Sequence, residues 1–184
     1  MTEKSVLIPL AQGCEDLEAV TCIDLLRRAG LDVVTAGLDD QPVVGSRKTV
    51  FVPDTTLDEA LTRDFDMIVL PGGLPGSDNL GDDPRILAVV RKMAADGKFT
   101  CAICAAPSVL AHAGVLSGKR ATSYPGRLEN MRLPDVTLTG EAVTRDGNVI
   151  TSRGAGTALD FALTLIEALD GKATRDRVEQ SLVR

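Results

Sequence analysis

A doubly wound α/β fold, a three-layer sandwich about a mostly parallel sheet, is what this sequence predicts, and three observations lead there. Short aliphatic runs alternate with helical patterns along the chain, the order that builds a parallel sheet from strand-helix-strand units. The runs are rich in Val, Ile, Leu and Ala, as strands covered on both faces are. Aromatic residues make up only 3% of the chain, so the core is aliphatic. A length of 184 residues suits one domain, able to bury about 70% of its unfolded surface without staples. The expected unit is therefore a single domain over 1–184, without linker, internal repeat or low-complexity tract.

In order, Ser5-Val-Leu-Ile-Pro-Leu10 is a buried-strand signal with Pro9 near its end, where a missing donor is tolerated. After the turn-like Gln12-Gly13 a helix runs from about Asp16 to Ala29, closed by Gly30 with Arg27 and Arg28 in its last turn. Asp32 to Gly37 is a second strand, and two extended pieces between Pro42 and Pro53, about Gly45-Ser46-Arg47, form a hairpin appended to the sheet. Leu57 to Leu61 is a short helix, and the strand Asp66 to Leu70 runs into Pro71-Gly-Gly-Leu-Pro-Gly76. Asp83-Pro84 opens a helix ending near Asp96-Gly97, and the next strand leads to Cys104 and a helix-like Ser108 to Ala113. Arg120 to Pro125 and Val136 to Leu138 are short strands, and Glu141 to Ser152 is a hairpin turning at Asp146-Gly147. Gly154 to Gly156 opens a long helix, Thr157 to Leu169, capped by Gly171, and an amphipathic helix from Lys172 to Leu182 follows.

Chemistry concentrates at Thr100-Cys-Ala-Ile-Cys-Ala-Ala-Pro-Ser-Val-Leu110, which reads as strand, sharp turn and helix with Cys104 at the turn. Two alanines let the backbone fold tightly there, and Pro107 suits a first helical turn. A residue at such an elbow points out of the C-terminal edge of the sheet, where open α/β folds place their sites. Amide N–H groups and the helix dipole converge on it, an arrangement expected to favour thiolate over thiol. Cys101 completes a C-x-x-C, but it lies inside the strand and reads as core rather than as a redox partner.

Two further features gather at that edge. The loop at 71–76 can present backbone N–H groups as a nest facing Cys104, although glycines needed only for turning leave the same pattern. It lacks the phosphate-loop lysine and the full dinucleotide spacing, which argues against a nucleotide site. Glu18 is the other feature, since on a helix it shares a stripe with Cys22, Leu25 and Ala29. Glu15 and Asp16 are accounted for by the helix N-terminus. Glu18 is expected to be partly buried with a raised pKa, suited to donating a hydrogen bond or moving a proton. The single histidine, His112, lies about 12 Å along the helix from Cys104. No Cys-His-Asp triad can be assembled, which disfavours protease chemistry.

A net charge of −6 without a basic stripe argues against nucleic acid as the main partner. The N-terminus carries no leader pattern and no apolar run approaches about 18 residues, so secretion and membrane spanning are disfavoured. Cysteines at 14, 22, 101 and 104 show neither disulfide nor zinc spacing. A reducing, cytoplasmic setting is expected, with no metal and no organic cofactor.

These residues carry a resemblance. The chain resembles the ThiJ/PfpI superfamily, specifically its Parkinsonism-associated deglycase subfamily (the DJ-one and YajL branch), essentially end to end. It does so through Glu15-Asp-Leu-Glu18, Arg27-Arg-Ala-Gly30, Val69-Leu-Pro-Gly-Gly73, Ala102-Ile-Cys-Ala-Ala-Pro107, Thr151-Ser-Arg-Gly-Ala-Gly-Thr157 and Glu167-Ala-Leu-Asp-Gly171. The resemblance implies a flavodoxin-like fold and a homodimer in which the first helix and the hairpin arm meet the partner. It implies Cys104 as nucleophile and oxidation-sensitive thiol, Glu18 as its protonated partner, and the amides of Gly73 and Ala105, with Gly72 beside them, as an oxyanion hole. Arg47 and Arg153 match family positions around the site, with Arg28 at the dimer contact. Tyr124 stands where the best-known member has a histidine close to the nucleophile; it can hydrogen-bond a thiolate or substrate oxygen but is a poor base near neutral pH. The implied function is a cofactor-independent enzyme acting on reactive 2-oxoaldehydes such as methylglyoxal, or on their adducts, of the glutathione-independent glyoxalase or deglycase type. The alternative is a non-enzymatic redox sensor or chaperone acting through oxidation of Cys104. A peptidase ranks third.

Overall fold

Residues 4–183 are described by the computed structural model. The chain begins with β1 (Ser5–Leu10), α1 (Asp16–Arg28) and β2 (Asp32–Gly37), then the short pieces β3 (Val43–Val44), β4 (Val50–Phe51), β5 (Thr55–Thr56) and α2 (Leu57–Ala60). It continues through β6 (Met67–Leu70), α3 (Gly76–Asp82), α4 (Pro84–Ala95), β7 (Phe99–Ile103) and α5 (Pro107–His112). The last third holds β8 (Arg120–Ala121), β9 (Thr137–Leu138), β10 (Val143–Asp146), β11 (Val149–Ser152), α6 (Ala158–Asp170) and α7 (Lys172–Ser181). The main sheet runs β10-β11-β7-β6-β1-β2-β5, parallel except for β10. This is the doubly wound, flavodoxin-like sandwich that the alternation of elements predicts.

Both faces of the sheet are buried, and strand alternation decides which residue goes where. Val6, Ile8, Met67, Val69, Cys101 and Ile103 pack toward α1 and α6. Leu7, Ile68, Leu70 and Ala102 pack toward α2, α4 and α5. Cys101 is thus a fully buried core residue. Consecutive strands β1 and β2 lie side by side, but the chain then returns to place β6 and β7 on the other flank of β1. That reversal leaves a crevice at the C-terminal ends of β1, β6 and β7, where such sheets hold their sites.

Two expectations need correction, and one helix is unannounced by the sequence. The hairpin is not appended to the main sheet: β3 and β4 pair only with each other, Val43 opposite Phe51. It is anchored instead to the start of α1, with the Arg47 and Thr49 amides donating to the Asp16 carboxylate (2.7 and 2.9 Å). The later hairpin turns at Gly147-Asn148, because Asp146 still pairs with Val149; positive φ falls on Gly147 alone. Helix α3 has no apolar period and contains two glycines, yet it forms where Gly76 packs against the Cys14 backbone, too close for any side chain. In α7 Val178 is buried, and Leu182, one turn on, packs half-buried against the same core, which gives the short apolar face expected of an amphipathic helix.

Candidate active site

Cys104 sits at the expected elbow between β7 and α5, with a φ of 63°. A cysteine in the left-handed region costs on the order of 1–3 kcal/mol and persists only where the surroundings impose it. Here the backbone is held on both sides: the Cys104 amide donates to Ser152 (2.9 Å), and its carbonyl accepts from the Tyr124 amide (2.8 Å). The turn aims the side chain at the crevice beside β6 and β1.

Glu18 meets it there. The helical stripe predicted from sequence is buried as a whole, with Glu18, Cys22, Leu25 and Ala29 all inside and Glu18 at 0% exposure. Its Oε2 accepts from the Gly72 amide at 2.8 Å. Oε1 is buried without a hydrogen-bond partner of ordinary geometry, so a negative charge there is poorly served. Burial pushes the Glu18 carboxyl up to about 7, against the downward pull of the Cys104 thiol and the Gly72 amide. The raised value is the one expected of an acid on an apolar stripe.

Against the expectation that the elbow favours thiolate stand burial and a facing carboxylate. Burial, the Glu18 charge and the hydrogen bond to Glu18 push the Cys104 thiol up to about 12, and the Gly73 and Ala105 amides offset only part of that. One amide from the glycine loop and one from the turn before a six-residue helix are outweighed by loss of solvent and a facing carboxylate. Cys104 and Glu18 therefore titrate as a pair, which loses a first proton near neutrality and a second far above it. Through neutral pH the sulfur keeps its proton while the carboxyl gives its own up.

The glycine-rich loop divides its roles. Gly73 points its amide at sulfur, whereas the Gly72 amide is taken by Glu18 and does not join an oxyanion hole. Gly72 is also sterically demanded: a methyl group in place of its hydrogen would lie 2.5 Å from Glu18 Oε2 and 2.6 Å from Cys104 Cβ. The other predicted residues spread out. Tyr124 adjoins Cys104 through its backbone and leaves its side chain 57% exposed. Arg153 follows the Ser152 that holds the elbow, but its guanidinium turns to the Gly140 carbonyl (2.6 Å). Arg47 lies exposed on the hairpin loop anchored by Asp16. Arg28 is not brought to this site: it stands about 15 Å along α1 from Glu18, paired with Asp24. His112 ends α5, as expected.

Sequence reasoning missed two things. Asp16, read as a helix-end charge, is buried and holds the hairpin loop; its counterpart Gly45 lies almost 30 residues on, where a methyl group would be 2.5 Å from the carboxylate. Beside the elbow a 500 Å³ cleft is lined by Ser108, His112, Tyr124, Arg127, Asn130 and Asp78 among others. A larger cleft of 570 Å³, with Phe65, Met93, Lys92 and Lys98 in its wall, opens at the opposite edge of the sheet and takes no part in this chemistry. Among the described residues, no three or more His, Cys, Asp or Glu side chains are grouped to hold a metal ion. Nor is any described helix long and apolar enough to cross a membrane.

A cysteine on a strained strand-to-helix elbow, facing a buried carboxyl across a glycine loop, defines an elbow-cysteine protein of the flavodoxin-like α/β class. Residues 4–168 match the DJ-1/PfpI family, and the chain belongs to that family. The crystal structure of Drosophila melanogaster DJ-1beta superposes with a TM-score of 0.95 at 42% identity, covering 99% of this chain and 98% of that one. The Arabidopsis thaliana protein DJ-1 homolog A is 43% identical over 98% of this chain, which spans only 46% of the plant protein's length. The Caenorhabditis elegans glutathione-independent glyoxalase DJR-1.2 is 35% identical, over 92% of this chain and 90% of the relative.

Proposed function

We propose that this protein is a cofactor-independent cysteine enzyme that converts reactive 2-oxoaldehydes, free or released from adducts, into 2-hydroxy acids. The observation that carries the reading is the buried Glu18 carboxyl, held by the Gly72 amide and facing the Cys104 thiol. The glyoxalase name of the nematode relative supports it. The Cys104 thiol adds to the aldehyde carbon as its proton passes by way of the Glu18 carboxylate to the carbonyl oxygen, which leaves Glu18 ionised again; the oxygen of the hemithioacetal accepts from the Gly73 and Ala105 amides, each such donor worth on the order of 3 kcal/mol. Glu18 as carboxylate takes the C–H proton from that carbon and returns it to the neighbouring carbon, while the hydroxyl proton of the hemithioacetal passes to the neighbouring oxygen. The first carbon rises to the thioester level as the second is reduced to an alcohol, so no outside oxidant is consumed. Water then cleaves the thioester, releasing the 2-hydroxy acid and the thiol.

The test is lactate formation from methylglyoxal without glutathione. Cys104→Ser and Glu18→Gln should each lose at least about 100-fold; a wild-type protein that makes no lactate overturns the reading. One feature favours a second reading. Protonated Glu18, whose Oε1 has no other partner, is a ready donor to an oxygen added to sulfur by peroxide. Gain of two oxygens on Cys104 by intact mass after mild peroxide, less readily in Glu18→Asp and without aldehyde turnover, would select the sensor.

The same proposal includes a homodimer through α1 and the hairpin. Leu17 and Val20 on α1, with Val44, Val50 and Val52 on or beside the hairpin, are exposed large apolar side chains. A reducing, cytoplasmic setting accords with four free cysteines.

A further inference from the structure

The cleft beside Cys104 is larger than a three-carbon aldehyde requires. Its 500 Å³ falls within the roughly 300–1,000 Å³ of small-molecule sites. Tyr124 joins it to the reactive centre, since its amide holds the Cys104 carbonyl and its side chain lines the cleft. Ser108, the second residue of α5, lines the same space and accepts from Arg127 Nε at 3.1 Å.

The lining is about half polar, with Pro125 and Met131 supplying apolar wall, and its polar half carries no net charge. Arg127 is its one cation and Asp78 its one anion, and the two are ion-paired. Around them Tyr124, His112 and Asn130 offer a phenol, an imidazole and an amide that make no side-chain hydrogen bond among the described residues. Each of these groups both donates and accepts, as a hydroxyl does. The exposed Tyr124 ring adds a flat apolar face for C–H groups. An anionic tail finds no unpaired cation here.

We propose that this cleft is a subsite for an uncharged, polyhydroxylated tail, so that the preferred substrates are sugar-derived 2-oxoaldehydes of five or six carbons. The proposal rests on the reading of Cys104 above for the reacting end, but the subsite can be tested apart from turnover. Tyr124 is the only tyrosine and the chain has no tryptophan, so intrinsic tyrosine fluorescence reports on this cleft. Titrating the wild-type protein with glucitol, a polyol without a carbonyl, should give a saturable change with a midpoint on the order of 1–10 mM. Asn130→Ala should weaken it by about 5-fold or more, and Asn130→Asp, which keeps the side-chain shape, serves if the alanine variant does not fold. Absence of saturation by glucitol, or saturation by inorganic phosphate in its place, overturns the subsite. In turnover, Asn130→Ala should lower kcat/KM for glucosone about 10-fold more than for methylglyoxal; equal losses overturn the proposal. Glucitol binding without turnover of either aldehyde would keep the subsite and discard the enzyme. Turnover without glucitol binding would do the reverse.

Discussion

Replacing Glu18 by Gln should change how stability depends on pH, by an amount the buried carboxyl sets. A carboxyl at its ordinary value of 4.5 in the unfolded chain and at about 7 in the folded one binds its proton more tightly when folded. Below pH 4.5 it is neutral in both states and costs nothing. As pH rises toward 7 the unfolded chain ionises while the folded one holds its proton, so stability is lost through that window and the loss is complete above it. At 1.36 kcal/mol for each pH unit, the gap between 4.5 and about 7 is worth about 3 kcal/mol. No discount for solvent applies, because Glu18 is fully buried. Gln keeps the shape and an acceptor for the Gly72 amide but cannot ionise. Urea unfolding followed by circular dichroism, at fixed protein concentration under reducing conditions, should find the two proteins within about 1 kcal/mol at pH 4.5. By pH 8 the variant should have gained about 3 kcal/mol relative to wild type. Measurement stops at pH 8 because unfolded thiols ionise just above it. A wild-type-to-variant difference that stays flat across this range would refute the buried, proton-holding carboxyl.

Two more outcomes follow from geometry. Gly72→Ala forces a methyl group against Glu18 Oε2, Cys104 Cβ and the Ile103 carbonyl at 2.5 to 2.9 Å; it should destabilise by about 1–3 kcal/mol and slow alkylation of Cys104 by iodoacetamide, and unchanged Tm with unchanged alkylation would show that the loop has room. Leu17→Lys places a charge at the centre of the exposed α1 patch, so sedimentation velocity should find a monomer where the wild type sediments as a dimer; a variant that stays dimeric puts the interface elsewhere.

Much of the site is legible from the chain because its signals are local. The elbow is written in one short run, two alanines and a proline after Cys104, and the backbone duly turns there through a positive φ. Glu18 is legible from helical spacing alone, since the stripe 18, 22, 25, 29 can be buried only by carrying its carboxyl inside. The ionisation of Cys104 is not legible in this way. The amides that favour thiolate come from near neighbours or a recognisable loop, while the burial and the facing carboxylate that outweigh them come from β1, β6 and β7 lying side by side.

The same division runs through the whole protein. Aliphatic runs, helix caps and glycine turns by themselves determined most of the order of elements and the parallel sheet, and marked Cys104 and Glu18 each in its own segment, because each of these signals lies within about a dozen residues. Tertiary structure alone decided that the Gly72 amide serves Glu18, that Asp16 holds a hairpin loop 30 residues away, and that Asp78, Ser108, Arg127 and Asn130 line one cleft. Those contacts join segments that no periodicity links. Only closure of the sheet brings them within hydrogen-bond distance.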